Sequence, residues 1–357
     1  MKHILIVKTS AIGDVIQTFP VIEYLKARVP EVKIDWVVER ASARLVQSHP
    51  LVDRVLIADT KRWRRHPWRK KQRLSWSAFA RHLGRTSYDL LLDFQGNSKS
   101  ALITHMANAD EKVGFSWSAT AEKPNVLATT KRFYVSPRME IRERYLTLAA
   151  LAFGDSLEFK SEGIALQISE EEEERLDRLD REQPLRFMVA FGSNWPNKQL
   201  QKETLEGFLE LVADKWEPHF LFIFGNPEEE KIAESLAVKF KGEAVGNLSL
   251  PLWQRLMGVM DLVIGVDSAG LHLAATTSVP TFSIFGPSSP RVFKPKGEQH
   301  AAYFGACPYG RTFEVRCPIL RNCSTGACMR KVDPALVFQA FDAFWSNASR
   351  STLLSTT

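Results

Sequence analysis

The sequence predicts an α/β protein built from two consecutive doubly wound domains, each a parallel sheet with helices on both faces. Three observations carry that reading. Short apolar runs alternate with helix-like stretches along the chain, the rhythm of a parallel sheet covered on two sides. The 357 residues amount to about two domains of ordinary size. Hydrophobic residues make up 45% and charged residues 25%, the balance of folded globular chains, which excludes disordered, collagen-like and coiled-coil classes.

In the first half, His3 to Lys8, Lys33 to Val38, Arg54 to Ile57 and Tyr88 to Phe94 read as strands, with amphipathic segments near Val15 to Ala27 and Lys99 to Ala107 between them. The charged run Ser169 to Glu182 is helix-like, and Gln183-Pro184 breaks the pattern before a new strand at Arg186 to Phe191. The domain boundary is therefore placed there, with a first domain over 1–168, a linker over 169–184 and a second domain over 185–330. Beyond it the rhythm resumes: a helix near Lys202 to Asp214, a strand His219 to Phe224, a helix Pro227 to Phe240, and strands Asp261 to Val266 and Pro280 to Phe285. Pro287 to Met329, rich in Pro, Gly and Cys, reads as loop. A helix over Pro334 to Trp345 opens the C-terminal segment 331–357, whose polar end, Ser346 to Thr357, is expected to fray. Two such domains can turn the carboxyl ends of both sheets, where ligands bind, toward each other across a cleft. Periodicity alone also permits one large mixed sheet.

The chain carries 47 Lys and Arg against 41 Asp and Glu, a net charge of +6. Ten of the basic residues fall between Thr60 and Tyr88 with no Asp or Glu among them, so this stretch holds more positive charge than the chain as a whole. Something anionic is expected to meet it. Trp63, Trp68 and Trp76 are interleaved there. That mixture suits stacking on bases beside phosphates, holding a phosphorylated lipid at a membrane surface, or a merely solvated loop.

Only four apolar residues, Ile4 to Val7, follow Met1-Lys2-His3, too few for a signal-peptide core. No run approaches the roughly 18 apolar residues of a membrane-spanning helix, so a cytoplasmic location is expected. Four cysteines in this length do not make a disulfide scaffold. Cys307, Cys317, Cys323 and Cys328 are spaced unlike the paired C-x2-C of common zinc sites, and no HExxH or acid cluster stands elsewhere, so no metal is expected.

The first strand runs into Lys8-Thr9-Ser10-Ala11-Ile12-Gly13-Asp14 ahead of a helix. Neither a Walker A loop nor the GxGxxG fingerprint is present, which disfavours nucleotide binding at this turn and a sugar-nucleotide oxidoreductase or epimerase on a dinucleotide fold. Asp14 would repel a phosphate at the helix start. The turn suits a carboxylate acting on a neutral hydroxyl, or simply a helix cap.

In the second half, the strand ending at Val266 meets Asp267-Ser268-Ala269-Gly270 and then a helix. Small residues there let N–H groups approach phosphate oxygens, and a cap in a tight connection is the other reading. Lys198 lies on a loop after the first strand of this half, where its cation could reach the same crevice or stay solvated. Among Glu228, Glu229 and Glu230, which follow Pro227, one could accept hydrogen bonds from a ribose diol, although acids belong at a helix start on dipole grounds alone. A GxSxG nucleophile elbow is absent.

At these residues the chain resembles the ADP-heptose:lipopolysaccharide heptosyltransferases of glycosyltransferase family 9, inverting enzymes of the two-domain GT-B type. The resemblance lies in Ile6 to Asp14 (IVKTSAIGD), Asp93 to Lys99 (DFQGNSK), Asn197-Lys198, Gly265 to His272 (GVDSAGLH) and Phe285-Gly286-Pro287, in order over most of the chain. The opening, Asp35 to Glu39 (DWVVE) and Arg62-Trp63-Arg64 are most similar to the type I members, which add the first heptose to the Kdo region of the lipid A core.

This resemblance implies two Rossmann-like domains facing an interdomain cleft, with the C-terminal helix brought back toward the first. It implies that Asp14 is the catalytic base and that Lys198 partners the donor diphosphate. Ser193, Glu229, Asp267, Ser268, Ala269, Gly270 and His272 fall to the donor, with Glu229 on its ribose. Thr9, Ser10, Gly13, Lys61, Arg62, Arg64, Arg65, Gln95 and Lys99 fall to the acceptor. The implied partners are ADP-heptose, a Kdo-bearing lipid A acceptor and the cytoplasmic face of a Gram-negative inner membrane, met peripherally, with no cofactor, metal or nucleic acid. Such transfer needs a base for the acceptor hydroxyl and stabilisation of the departing ADP. A type II heptosyltransferase or another transferase of the same architecture competes with this reading, as does a nucleic-acid-binding protein built on the Trp-rich basic stretch.

Overall fold

The computed structural model describes residues 2–355 apart from Pro67, Leu157 and Glu182, and leaves the side chains of Arg64 and of residues 349–355 undescribed. The chain divides into two units, Met1–Gln167 and Ile168–Thr357. Each holds a six-stranded parallel sheet. The first contains β1 (His3–Val7), β2 (Lys33–Val38), β3 (Arg54–Ile57), β4 (Ser87–Asp93), β5 (Asn108–Phe115) and β6 (Lys131–Phe133), in the order β3-β2-β1-β4-β5-β6. The second contains β7 (Arg186–Ala190), β8 (His219–Ile223), β9 (Glu243–Val245), β10 (Leu262–Val266), β11 (Thr281–Phe285) and β12 (His300–Phe304), in the order β12-β11-β10-β7-β8-β9.

Numbered within its own unit, each sheet has the Rossmann order 3-2-1-4-5-6. The strand order therefore reverses between β1 and β4 and between β7 and β10, and ligand crevices of such sheets lie at that reversal, outside the carboxyl ends of the strands. The central strands are apolar throughout because helices cover both of their faces: Ile4, Leu5, Ile6 and Val7 of β1 are all fully buried.

Four strands escape the sequence pattern. β5 reads NADEKVGF, a charged strand one place from the sheet edge, where only part of it is buried. β6 and β9 are three residues each, too short for an alternation to register. β12 lies at an edge within Pro287 to Met329, the segment expected to be loop, which also holds the helix Pro290–Phe293 and the start of the helix Ala327–Arg330.

The second core is aromatic. Phe282 meets Phe341 edge-on at 5.3 Å, and Phe187 meets Trp345 at 5.1 Å. Phe341, Trp345 and Val337 come from the C-terminal helix Pro334–Ser355, so the first part of that helix packs on the second unit. The helix also continues past Trp345, where fraying was expected, since no Gly or Pro interrupts residues 346–355. The stretch 169–184 is docked rather than free. Its helix Glu170–Leu179 is capped by Ser169, and Arg175 donates to the carbonyls of Gly246 and Asn247 at 2.6 and 2.9 Å.

The basic stretch folds into two helices, Thr60–Arg65 and Lys70–Arg85, rather than a loop. Some of its apolar side chains turn inward: Leu83 is fully buried, and Trp63 packs on Trp76 and Phe79 at 5.0 and 5.2 Å over the core of Leu5, Val7 and Val37, whereas Leu74 is exposed. Trp63 Nε1 donates to Ser75 Oγ at 3.3 Å. Of the three tryptophans considered for base stacking, Trp63 is thus a core residue, Trp76 packs half-buried against that core, and Trp68, 90% exposed, is the one in solvent.

Candidate functional site

In the first unit the loops after β1 and β4 are bound together at the reversal of strand order. Gln95 Oε1 accepts from the N–H groups of Thr9 and Ser10 at 2.9 and 3.0 Å and from Thr9 Oγ1 at 3.1 Å. The buried Asp93 carboxylate fixes Gln95 in turn. Its Oδ1 takes the N–H groups of Gln95 and Gly96, and its Oδ2 takes Thr104 Oγ1 and Asn125 Nδ2. The short helix Ile12–Ile16, which includes Gly13, springs from this braced loop.

Asp14 sits in the first turn of that helix, partly buried. Its Oδ2 accepts from the Ala11 N–H at 3.1 Å, and no described residue engages Oδ1. Both functions left open by the sequence fit one side chain here, with one oxygen holding the helix start and the other available.

Behind the loop, Lys8 is buried, and its Nζ donates to Tyr145 Oη at 2.8 Å and to the Phe94 carbonyl at 3.1 Å. Burial opposes its charge, but the pull of the Tyr145 oxygen and of the Asp14 and Asp93 carboxylates outweighs burial and lifts the lysine pKa above its ordinary value. A charged ammonium therefore stands in the field of Asp14. The linear motif contains Lys8 without revealing that it turns inward, and Tyr145, on the helix Ile141–Phe153, gives no local signal at all.

The remaining residues expected to meet the acceptor share the same carboxyl edge of the sheet. Glu39 N–H donates to the Thr9 carbonyl at 3.0 Å, and its carboxylate accepts from Thr60 Oγ1 at the start of the helix carrying Lys61, Arg62 and Arg65. Arg62 and Arg40 both reach Asp59, at 3.5 and 3.1 Å. Lys61, Arg62 and Arg65 are exposed, and the Arg64 side chain lies outside the described residues. Lys99 lies in the first turn of the helix Ser98–Met106, just beyond Gln95. Thr9, Ser10, Gly13, Asp14 and Gln95 are thus gathered at the reversal point, with the basic residues after β3, two strands away.

In the second unit a cavity of about 260 Å³ opens at the ends of β7, β8 and β10. Gly192, Ser193 and Asn194 line it after β7, Phe224, Gly225, Asn226 and Glu229 after β8, and Ser268, Ala269 and Gly270 after β10, while Leu248, Leu250 and Trp253 add an apolar wall. Glu229 Oε2 accepts from the Gly225 N–H at 2.9 Å. A Cβ at Gly192 would stand 2.5 Å from Glu229 Oε1, so the carboxylate lies across a loop that only glycine leaves clear. A Cβ at Gly270 would likewise strike the Trp253 ring at 2.7 Å. The wall of Phe224, Leu248, Leu250 and Trp253 was not foreseen. Its only trace in the sequence is a run of apolar residues about the Ser249 cap, after the shortest class of strand.

Beside the cavity is a buried polar network. Lys198 Nζ lies 2.5 Å from Asp267 Oδ2, which also accepts from Ser288 Oγ, and His272 Nε2 lies 3.5 Å from Asp267 Oδ1. Burial works against the Asp267 charge, but His272 and Lys198 overcome it and hold the carboxyl well below the usual range. Ser193, Glu229, Ser268, Ala269 and Gly270 line the cavity. Lys198, Asp267 and His272 stand one layer back, with the Asp267 oxygens already committed. Asn197 anchors this corner, donating to the carbonyls of Leu320 and Cys323 at 2.9 Å each. The four cysteines are unpaired thiols, and burial together with the neighbouring Cys307, Cys323 and Cys317 pushes the Cys328 thiol up to about 11. Among the described residues no group of three His, Cys, Asp or Glu side chains is placed to hold a metal ion.

Comparison with known proteins adds an independent line. The sequence model of glycosyltransferase family 9 (heptosyltransferase) matches residues 76–320. The chain is similar to lipopolysaccharide heptosyltransferase 1 of Pseudomonas aeruginosa, 30% identical over 81% of this chain and 79% of that protein. It is also similar to lipopolysaccharide heptosyltransferase 1 of Escherichia coli K12, 28% identical over 81% of this chain and 89% of that protein. Among solved structures, E. coli heptosyltransferase WaaC with ADP-2-deoxy-2-fluoro heptose matches with a TM-score of 0.72 at 26% identity, covering 84% of this chain and 92% of that one. WaaC with ADP matches with a TM-score of 0.77 at 24% identity over 96% of this chain and 99% of that one.

Proposed function

Since the chain belongs to glycosyltransferase family 9, the heptosyltransferases, we propose that it moves heptose from ADP-L-glycero-D-manno-heptose to a Kdo residue of Kdo-lipid A in building the lipopolysaccharide inner core. The transfer inverts the anomeric carbon and uses no metal. The relatives named heptosyltransferase 1 favour this acceptor over one that already bears heptose.

The observation that carries the reading is the second-unit cavity, which suits a nucleoside diphosphate. Its apolar wall of Leu248, Leu250 and Trp253 takes the flat base, and Glu229 accepts hydrogen bonds from the ribose hydroxyls. The N–H groups opening the helix Ala269–Ala274, with Ser268 and Ser193, meet the phosphates. Lys198 supplies positive charge to the departing ADP, oriented by Asp267, while Ser288 and His272 hold Asp267.

In the first unit, Asp14 takes the proton from the acceptor hydroxyl through Oδ1 as that oxygen attacks the anomeric carbon. Lys8 and the Gln95 clamp keep the loop in place for this step. The exposed Lys61, Arg62 and Arg65 meet the anionic groups of the lipid acceptor. Among the described residues no helix is long and apolar enough to cross a membrane, so the enzyme meets its acceptor peripherally, at the cytoplasmic face of the inner membrane, by way of that basic face.

The test is incubation with ADP-heptose and a panel of Kdo-bearing acceptors, with and without a chelator, read by mass spectrometry. One heptose added to Kdo, unaffected by the chelator, is expected. Product formed only on acceptors that already carry heptose points to type II transfer, and no product on any acceptor overturns the reading.

A further inference from the structure

Arg144 is a half-buried cation with no part in the transfer chemistry proposed for Asp14. Its Nη2 donates to the Ala119 carbonyl at 2.6 Å, its guanidinium lies 4.2 Å from the centre of the Phe115 ring, and its Nε is buried with no hydrogen-bond partner. No carboxylate of the described residues pairs with it. Arg142, two residues earlier, is bonded to Glu140 at 3.0 Å, and Arg54 meets Asp35 at 2.5 Å. A guanidinium partly withdrawn from water with no counter-ion carries a desolvation cost, which an anion arriving from outside relieves.

Its position says which anion. Ala119 belongs to the strap that follows β5 at the carboxyl edge of the first sheet. Further along the strap, Thr120 Oγ1 and the Glu122 N–H donate to the Gly96 carbonyl at 3.0 and 2.9 Å, beside the Gln95 that clamps Thr9 and Ser10. On its other flank, Tyr145 accepts from Lys8. Arg144 therefore stands between the two supports of the Asp14 loop, and the Tyr145 hydroxyl feels the charges of Lys8, Asp14 and Arg144 alike.

We propose that Arg144 seats the carboxylate of the acceptor sugar, its planar fork fixing that group so that a hydroxyl of the same sugar meets Asp14. This rests on the acceptor being a Kdo-type sugar acid bound by the first unit. The remaining guanidinium hydrogens take the carboxylate while Nη2 keeps Ala119. A neutral sugar of the same shape would leave the cation without a counter-ion, which makes Arg144 a determinant of acceptor choice.

The test compares a Kdo acceptor with its carboxamide analogue on the wild-type enzyme, Arg144→Gln and Arg144→Lys, with ADP affinity by calorimetry as the check on the second unit. Wild type is expected to show a KM for the carboxamide roughly 10- to 100-fold above that for the carboxylate, the range of a charge-assisted hydrogen bond. Arg144→Gln removes that gap by raising the carboxylate KM alone, Arg144→Lys narrows it, and ADP affinity is unchanged in both. Equal rises in KM for the two acceptors, or a lower kcat with the gap intact, overturn the proposal and leave Arg144 as a brace for Ala119. If Arg144→Gln does not fold, Arg144→Lys decides: a gap equal to that of wild type overturns the proposal. Absence of transfer by the wild type to either acceptor defeats the functional reading instead, so the two failures are distinct.

Discussion

Lys198 and Asp267 meet at 2.5 Å, although they follow different strands, β7 and β10, that are far apart in the sequence and adjacent in the sheet. Both are almost fully buried. A buried pair of this kind is rarely a large net gain in stability, but losing one member strands the other. The pair therefore fixes where the lysine points, and the Ser288 and His272 contacts fix the aspartate.

Lys198→Ala should consequently do two separable things. It leaves the Asp267 charge buried without its nearest cation, a loss of about 3–5 kcal/mol for the second unit, and it weakens ADP binding. The double variant Lys198→Met with Asp267→Asn should regain most of the stability and none of the ADP affinity. Thermal unfolding and calorimetry read the two effects. Full recovery of ADP binding in the double variant would remove Lys198 from the donor site.

The Asp14 side chain is expected to separate into a cap and a base by substitution. Asn keeps an oxygen for the Ala11 N–H but cannot take a proton, so Asp14→Asn should lower transfer by about 10²- to 10⁴-fold with stability nearly unchanged. Asp14→Ala should lose the same activity and about 1 kcal/mol of stability besides. ADP affinity should hold in both, because every residue lining the cavity proposed for the nucleotide belongs to the second unit. Near-normal turnover of Asp14→Asn would end its assignment as the base.

Gly192→Ala tests the Glu229 placement. The added Cβ would lie 2.5 to 2.8 Å from the Glu229 carboxyl atoms, the far end of a flexible side chain, so Glu229 should swing away without upsetting the fold. ADP affinity is expected to fall about tenfold, near 1.4 kcal/mol, with the melting temperature little moved. Unchanged affinity would mean that Glu229 does not touch the ribose.

The fold was legible where the chain is buried on both sides and, β3 apart, silent at the sheet edges. β1, β7 and β10 announce themselves as apolar runs, whereas β6, β9 and β12 lie at sheet edges and need little apolar surface. Among site residues, Asp14, Lys198 and the Asp267–Gly270 turn stand in short motifs beside strand ends. Tyr145, Arg144 and Trp253 reach their places through helix packing, which no local spacing encodes. The basic stretch shows the opposite limit: charge was plain from the sequence, but which of Trp63, Trp68 and Trp76 would be buried depended on where the helix Lys70–Arg85 rests.

His49 makes the first unit acid-sensitive in a calculable way. It is buried, its Nδ1 accepts from the Leu51 N–H at 3.2 Å, and its ring meets Phe19 edge-on at 4.8 Å. Burial pulls its pKa from 6.5 to about 3. The folded chain thus keeps a neutral imidazole at pH values where the unfolded chain has taken up a proton. The stabilisation is complete above pH 6.5 and is lost progressively as the pH falls toward 3, at about 1.4 kcal/mol per pH unit. His49→Asn keeps an acceptor for Leu51 and does not titrate. Between about pH 7.5 and 5, urea unfolding of the wild type should lose about 2 kcal/mol more than the variant does. Parallel losses in the two proteins would place the acid sensitivity elsewhere.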